Sequence, residues 1–190
     1  MPTDRVIFLD RDGVINHDSP DYIKSWEEFR FLPGSLEALN LLTRQGYRLM
    51  VITNQSIINR GMVPMSVLTD THSRMRTAVE RTGGRIEDIF FCPHRPDENC
   101  ACRKPKPGLI FQARDRHGIT LAHSIMIGDS AKDIECGINA GCGATLLVGT
   151  GNGTQAIASL TARGIRPDAR ATDLLEAARM ILSGSLGSTS

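Results

Sequence analysis

Two carboxylates lie one residue apart where an apolar run ends near the start of the chain. Asp10 and Asp12 follow residues 6–9, whose sequence Val-Ile-Phe-Leu is typical of a buried strand. Open parallel sheets bind ligands at the carboxyl ends of their strands, so this pair would lie at such an edge. Two neighbouring acids there call for a hard cation with oxygen ligands.

Three later motifs supply the other groups that phosphoryl transfer needs, and they occur in a fixed order. Thr53-Asn54 follows a second apolar run, Arg103-Lys104-Pro105 lies in a basic loop, and Gly128-Asp129 follows a third run. Hydrolysis of a phosphate ester needs a nucleophile, a proton donor for the leaving oxygen and positive charge around the transferred group. A single acidic pair would be weak evidence, but four ordered motifs together predict a phosphoryl-transfer site.

A second group of ligand side chains occupies one short loop. Cys92, His94, Cys100 and Cys102 lie within eleven residues. Four nitrogen and sulfur ligands suit tetrahedral Zn²⁺, and a full protein shell is typical of a structural ion. We therefore predict a zinc loop over 92–102, the alternative being unliganded thiols. Cysteines 136 and 142 we expect to be buried and inert.

Composition and charge limit the class of protein. The chain has 190 residues, 41% of them hydrophobic, so we predict a single domain over 1–182 and a flexible Gly/Ser-rich tail over 183–190. The net charge of +1 gives no field that would favour nucleic acid or a membrane surface. No signal-peptide pattern and no run of ~20 apolar residues occur in the sequence. We expect a cytoplasmic, monomeric enzyme that acts on a small molecule.

Apolar runs alternate with amphipathic helical patterns, which predicts an α/β fold: a Rossmann-like, three-layer α/β/α arrangement around a mostly parallel sheet. Ser35 and Ser66 could cap helix starts, and glycines 46, 83 and 118 could end helices. Roughly twenty residues after Asp12 remain for a flap, which leaves no room for a cap domain. The predicted strands are 6–10, 48–53, 88–92, 124–128 and 145–148, and the predicted helices are 35–45, 66–82, 109–117, 131–140 and 172–182.

Over roughly residues 5 to 150 the motifs resemble those of the haloacid dehalogenase superfamily of aspartate-nucleophile phosphatases, whose first motif is Asp-x-Asp-Gly. The resemblance implies a capless fold with an open active site. Asp10 would form an aspartyl-phosphate, and Asp12 would protonate the leaving group and then deprotonate water. Mg²⁺ would be held by Asp10, the backbone carbonyl of Asp12 and Asp129. Asp133 would support that metal shell or the catalytic lysine.

The same resemblance assigns the groups around the phosphate. The Thr53 hydroxyl and the Asn54 backbone amide would donate to phosphoryl oxygens. Lys104, from the family pattern Arg-Lys-Pro-x-Pro-Gly, would offset the negative charge, and Lys106 would face solvent.

A narrower resemblance points to one branch of the superfamily. Asp-Arg-Asp-Gly, Thr-Asn-Gln-Ser, Cys-Pro-His and Cys-x-Cys-Arg-Lys-Pro, in this order, are similar to motifs of the D-glycero-D-manno-heptose 1,7-bisphosphate 7-phosphatases. It implies Mg²⁺-dependent removal of the 7-phosphate in nucleotide-activated heptose biosynthesis, which serves lipopolysaccharide or S-layer glycan. The related histidinol-phosphate phosphatases are the alternative, and Arg103 and the unfused length favour the heptose branch. A zinc-stabilised binding protein without catalysis is a second alternative, which the intact motif residues disfavour.

Loops must provide specificity in a capless enzyme, and one loop departs from the family pattern. Where relatives usually have glycine after Asn-Gln-Ser, this chain has Ile57. A glycine with positive φ could not become a β-branched residue without a change of loop shape, which would affect substrate preference. The preferred heptose anomer is left open. The expected substrate-binding residues are Arg103, Gln55, Ser56, Asp18, Ser19 and Asp21.

Overall fold

A computed structural model describes residues 5–186. In it, six strands form one sheet, and every neighbouring pair of strands is parallel. The strands are β1 (Val6–Leu9), β2 (Arg48–Asn54), β3 (Ile86–Cys92), β4 (Ile125–Gly128), β5 (Ala144–Val148) and β6 (Ala169–Ala171). Their order across the sheet is β3-β2-β1-β4-β5-β6. The first strand is therefore central, and the chain reverses its winding direction there, which places a ligand crevice at its carboxyl end.

Helices cover both faces of the sheet. They are α1 (Ser35–Arg44), α2 (Met65–Arg81), α3 (Gly108–His117), α4 (Ala131–Ala140), α5 (Gly153–Ala162) and α6 (Leu174–Ser183). Buried side chains of α1, α2 and α6 pack on one face, and those of α3, α4 and α5 on the other. This three-layer α/β/α arrangement confirms the predicted fold class.

The central strand shows why its sequence is apolar without alternation. Ile7 and Leu9 enter the core under α1, α2 and α6, whereas Val6 and Phe8 enter the core under α3 and α4. All four side chains are fully buried. A strand covered on both faces has no solvent side, so a continuous apolar run is what the fold requires.

The predicted elements agree with the observed ones to within two residues at each end, but two elements were not predicted. β6 has only three residues, with Arg170 exposed between two buried alanines, which is too short for a recognisable pattern. α5 was also missed. The proposed serine caps were wrong: Gly34 and Pro64 precede the first turns, and the hydroxyl of Ser35 is buried without a partner.

The connections between the motifs contain loops rather than a cap domain. Residues 13–34, called the flap below, include one short 3₁₀ turn, Trp26–Glu28, whose tryptophan stacks on Phe29 at a centroid distance of 5.1 Å. The predicted tail begins at Ser183, which is the last residue of α6, and residues 187–190 of that tail lie outside the described part of the chain. Across residues 5–186 no helix combines the length and apolar character needed to cross a bilayer.

Candidate active site

The ends of β1 and β4 bring acidic side chains from distant parts of the sequence together. Asp10 directly follows β1, Asp129 directly follows β4, and Asp133 lies in the first turn of α4. One oxygen from each carboxylate lies within 4.8 Å of the others. We call these three residues the carboxylate cluster. β1 and β4 are neighbours in the sheet, so residues that follow them must meet at one edge.

Lys104 is the cation that contacts this cluster. Its ammonium lies 2.9 Å from Asp10 Oδ1 and 2.6 Å from Asp133 Oδ1, and it donates to the carbonyl of Ile52 at 2.8 Å. The side chain is 2% exposed. Burial opposes the charged form, but the two carboxylates outweigh it and raise the pKa of Lys104 above its ordinary value. Lys104 therefore stays protonated.

Two buried carboxylates and the partly buried Asp10 against one ammonium leave an excess of negative charge. Burial, and then repulsion by Asp133, raise the pKa of Asp10 well above its usual range. The same two causes raise the pKa of Asp129 to about 7. Closely spaced, buried carboxylate oxygens are the donor set that Mg²⁺ takes in phosphate-handling sites. The cluster therefore fits a divalent cation by donor chemistry and by charge.

Asp12 lies beside the cluster but has a different environment. Its Oδ1 accepts from Arg11 Nη2 at 2.8 Å, Arg11 Nε at 3.1 Å and Asn16 Nδ2 at 2.8 Å, and its Oδ2 accepts from Gln55 Nε2 at 2.8 Å. Burial alone would raise the pKa of Asp12, but the charge and hydrogen bonds of these partners hold it below its ordinary value. Asp12 is therefore ionised when the cleft is free of substrate.

Gly13 is needed because Asp129 approaches the backbone at this point. Its φ is +80°, and a Cβ there would overlap the Asp129 carboxylate. On the other side of Asp129, the backbone N–H of Asn152 donates to Oδ2 at 2.8 Å and its side-chain amide donates at 3.2 Å. The same amide lies 3.1 Å from Asp18 Oδ2, so Asn152 links the flap to the cluster.

The predicted zinc ligands also meet. Cys102 Sγ lies 3.3 Å from Cys92 Sγ, 3.5 Å from Cys100 Sγ and 3.3 Å from His94 Nδ1, and Cys92 Sγ lies 3.6 Å from Cys100 Sγ. Four ligands at the usual Zn–S distance would be ~3.8 Å apart at the corners of a tetrahedron, and the observed spacing is close to this. No pair is at disulfide distance. These four residues, called the thiol cluster below, therefore fit a tetrahedral soft-metal site.

Comparison with known proteins agrees with this geometry. The family model of HAD-hydrolase-like proteins matches residues 101–177. Two relatives are named D-glycero-beta-D-manno-heptose-1,7-bisphosphate 7-phosphatase. The one from Bordetella bronchiseptica is 43% identical over 81% of this chain and 86% of its own length. The one from Helicobacter pylori strain 26695 is 45% identical over 74% and 81%.

Two crystal structures extend the similarity to the fold. D,D-heptose 1,7-bisphosphate phosphatase from B. bronchiseptica, complexed with magnesium and phosphate, has a TM-score of 0.88 and 40% identity, covering 95% of this chain and 99% of that one. The corresponding enzyme from Burkholderia thailandensis has a TM-score of 0.72 and 36% identity, covering 94% and 99%. The chain belongs to the heptose 1,7-bisphosphate 7-phosphatase family of haloacid dehalogenase-like hydrolases. It is thus a phosphatase acting on phosphoric monoesters.

Within this phosphatase, the residues expected around the phosphate lie at the end of β2. Thr53 is 1% exposed and its hydroxyl accepts from Gln55 Nε2 at 3.0 Å. Asn54 joins β2 to the basic loop, because its Oδ1 accepts from the Lys104 backbone N–H at 3.1 Å and its Nδ2 donates to the Lys104 carbonyl at 3.3 Å. The side chain of Asn54 therefore holds Lys104 in place.

The expected substrate-binding residues divide into two groups. Arg103, Gln55, Asp18 and Ser19 line a cleft of about 460 Å³ that also contains the carboxylate cluster. Asp21 lines an adjoining groove on the flap, which shares Asp18 and Ser19 with the cleft, and the structure does not bring Asp21 to the cleft's own wall. Ser56 is also absent from that wall; it is 4% exposed and accepts from Arg60 at 3.3 Å.

Arg103 connects the thiol cluster to the cleft. Its Nη1 donates to the carbonyl of His94 at 2.9 Å, and it follows Cys102 directly. Lys106 is exposed, as predicted, and donates to the carbonyl of Cys100 at 2.8 Å. A metal bound to the thiol cluster would thus fix the loop that carries both Arg103 and Lys104.

Ile57 fits its loop without backbone strain. The non-glycine residues with positive φ in the described chain are Tyr22 and Asn99, so Ile57 does not adopt the left-handed conformation that a glycine could. Its side chain is fully buried. Burial in the core keeps it out of the cleft.

Proposed function

We propose that the protein removes the 7-phosphate of D-glycero-D-manno-heptose 1,7-bisphosphate in a Mg²⁺-dependent reaction, through an aspartyl-phosphate on Asp10, in the synthesis of nucleotide-activated heptose. The observation that carries this proposal is the position of the Lys104 ammonium between Asp10 and Asp133, next to Asp129 and with Arg103 at the same cleft. The names of relatives at 40–45% identity support the substrate.

Asp10 is the nucleophile in this proposal. Its Oδ1 accepts from Lys104 at 2.9 Å and from the backbone N–H of Arg11 at 2.7 Å. With one oxygen fixed by two donors, we assign Oδ2 as the atom that attacks phosphorus. The heptose oxygen then leaves, and the phosphoryl group remains on Asp10.

Asp12 transfers protons in both half-reactions. It protonates the leaving heptose oxygen and then accepts a proton from the water that hydrolyses the aspartyl-phosphate. Its ionised form in the substrate-free cleft is suited to the second step. For the first step it must take up a proton, and the negative charge of an arriving phosphate favours this because like charges raise a carboxyl pKa.

Thr53, Asn54 and Lys104 surround the transferred group. The Thr53 hydroxyl and the Asn54 backbone amide donate to phosphoryl oxygens, and Lys104 offsets the charge that develops on them. The protonated state and near-complete burial of Lys104 strengthen this effect, because water does not screen it.

Two metals complete the proposal. Asp10, Asp129 and the backbone carbonyl of Asp12 would hold Mg²⁺, which neutralises repulsion between the nucleophile and the phosphate, while Asp133 supports Lys104. The thiol cluster would hold a structural Zn²⁺. The residues of one chain supply every group named here, so we propose that a monomer suffices.

Arg103 would bind the anionic group at the end of the substrate remote from the transferred phosphate. In the heptose substrate this end is a second phosphate, whereas in histidinol phosphate it is cationic. We therefore expect kcat/KM for heptose 1,7-bisphosphate to exceed that for histidinol phosphate by at least about tenfold, or ~1.4 kcal/mol.

A phosphate-release assay with both heptose anomers and histidinol phosphate tests this assignment. Arg103→Ala should remove most of the preference, whereas Arg114→Ala, at an exposed ion pair with Asp115 on α3, should keep it. A better rate with histidinol phosphate, or an equal loss on both substrates in Arg103→Ala, would exclude the heptose assignment.

A further inference from the structure

Arg11, between the two motif carboxylates, has no role in the chemistry above, although it is among the most buried side chains of the protein. It is 1% exposed. Its Nε and Nη2 both donate to the same oxygen of Asp12, Oδ1. Oδ2 of Asp12 is therefore left for Gln55 and for the cleft. A buried guanidinium is costly unless its other N–H groups also find acceptors.

The acceptor on the far side of Arg11 is a histidine 61 positions along the chain. His72 lies in α2, is 7% exposed, and its Nε2 is 3.2 Å from Arg11 Nη1. Arginine can only donate, so Nε2 accepts and the ring proton is on Nδ1. Phe91 contacts the imidazole edge to face at 5.8 Å, and Phe29 of the flap lies 5.9 Å from the guanidinium. Arg11 is thus enclosed between the flap, α2 and β3.

His72 is an uncharged acceptor. Burial, and then the positive charge of Arg11, lower its pKa to about 3. A neutral acceptor fixes the direction of the guanidinium without neutralising it, so the full charge acts on Asp12. A carboxylate in its place would compete with Asp12 for the same cation.

We propose that His72, through Arg11, is a positioning residue that fixes the orientation of the Asp12 carboxylate. The inference rests on the proposed role of Asp12 as the proton donor and acceptor. With Oδ1 held by Arg11 and Asn16, the carboxylate cannot rotate freely, and Oδ2 stays directed at the cleft. Loss of the acceptor frees Arg11 and, with it, the proton-carrying oxygen.

The leaving group reports on this function. A sugar alkoxide leaves poorly and depends on a proton donor, whereas p-nitrophenolate leaves without one. Asp12 also activates water in the second half-reaction, which both substrates share, so the comparison uses kcat/KM, which covers the steps up to departure of the leaving group. A misplaced Asp12 should therefore lower kcat/KM for the heptose substrate more than for p-nitrophenyl phosphate. General loss of folded protein, or of the metal, would slow both substrates alike.

The experiment compares kcat and KM of His72→Leu, His72→Gln and His72→Glu on heptose 1,7-bisphosphate and p-nitrophenyl phosphate, with thermal melts. For His72→Leu we expect about a tenfold loss of kcat/KM on the heptose substrate and less than about threefold on p-nitrophenyl phosphate. Glutamine, a neutral acceptor, should restore kcat/KM on the heptose substrate to within about threefold of wild type. Met75→Leu, a conservative change on the buried face of α2, is the matched control and should not change the kinetic constants for either substrate.

His72→Glu covers the case in which the leucine variant does not fold. Its carboxylate can pair with Arg11 and keep the site filled, yet it should draw the guanidinium from Asp12 and give the same substrate-selective loss. Equal losses of kcat/KM on both substrates, or a glutamine variant with as low a kcat/KM on the heptose substrate as the leucine variant, would overturn the inference. Asp12→Asn distinguishes a failure of this inference from a failure of the proposed mechanism. If Asp12→Asn shows the selective loss and the His72 variants do not, only the positioning role of His72 fails. If Asp12→Asn hydrolyses the heptose substrate normally, the proposed mechanism fails.

Discussion

The carboxylate cluster, of three residues, and the thiol cluster, of four, are both groups of ligand side chains beside the same basic loop, but they are built in opposite ways. The carboxylates come from two strand ends and a helix, more than a hundred residues apart in sequence, and carry an excess of buried charge. The thiol cluster comes from eleven consecutive residues. Lys104 lies against the first, and Arg103 follows the last residue of the second.

This difference suggests separate tasks: the carboxylate cluster would take part in the chemistry, and the thiol cluster would hold the basic loop in place. Repelling carboxylates destabilise the folded protein unless a cation neutralises them, and that repulsion favours the binding of a divalent cation. The residues of the thiol cluster do not line the cleft, so we expect the cluster to act only by holding the loop that carries Arg103 and Lys104. We infer that damage to the first should abolish catalysis with little effect on stability, and that damage to the second should do the reverse.

The largest expected effect is that of Asp10→Asn. Removing the nucleophile should lower kcat more than about a hundredfold in saturating Mg²⁺, because no other group can form the aspartyl-phosphate. The melting temperature without Mg²⁺ should not fall, because a buried charge has been removed beside Asp133 and Asp129. A phosphate-release assay measures kcat, and a thermal melt measures the melting temperature. An active Asp10→Asn protein would contradict the covalent mechanism.

Withdrawal of metal should separate the two clusters chemically. Mild treatment with EDTA should stop turnover, and Mg²⁺ alone should restore it, while about one Zn²⁺ per chain stays bound. Elemental analysis before and after treatment checks this. Protein purified without chelator that holds no zinc, with the loop thiols freely titratable, would contradict the zinc site.

Cys102→Ser should have a smaller effect on catalysis than Asp10→Asn and a larger effect on stability. Loss of one ligand should release zinc, lower the free energy of unfolding by about 2–5 kcal/mol and raise KM by freeing Arg103, with kcat reduced only a few fold. Cys142→Ser is the matched control, because this half-buried thiol lies outside the cluster. If both variants melt alike and keep zinc, the thiol cluster is not a metal site.

The smallest effect should come from Asn152→Ala, which removes one of the two Asn152 donors to Asp129 and keeps the backbone donor. We expect the Mg²⁺ concentration for half-maximal activity to rise by roughly tenfold, the lower end of the range for groups that orient a metal ligand. Zinc content should be unchanged. Gln155→Ala, an exposed position in α5, the helix that begins directly after Asn152, should behave as wild type. An identical Mg²⁺ dependence in both variants would refute the role of Asn152.

The sequence was most informative where side chains follow apolar runs. Asp10 and Asp129 were predicted to meet because the ends of parallel strands share an edge, and the thiol cluster was predicted from spacing alone. The same rule applies less directly to Asn152, because a Gly-rich loop separates it from the apolar end of β5. Cysteines 136 and 142 were predicted to be buried, inert thiols; Cys136 is buried, whereas Cys142 is half-buried. Removal from water raises their pKa values to about 12 and about 11.

Other contacts could not be predicted from pattern. His72 lies within a helix whose apolar spacing indicates only a core face, and nothing in its neighbours signals a partner 61 positions away. Gln55 was expected to contact substrate, and it lines the cleft, but the hydrogen bonds from its amide to Asp12 and Thr53 could not be read from any pattern. β6 and α5 were missed because a three-residue strand and a short apolar helix leave no clear period.

The most direct test of the account is ³¹P NMR of heptose 1,7-bisphosphate incubated with Mg²⁺ and either wild-type protein or Asp10→Asn. Wild-type protein should convert the 7-phosphate resonance to inorganic phosphate and leave the anomeric phosphate in place, and Asp10→Asn should leave both resonances unchanged over the same time. Loss of the anomeric phosphate, or turnover by Asp10→Asn at more than about a hundredth of the wild-type rate, would contradict the account.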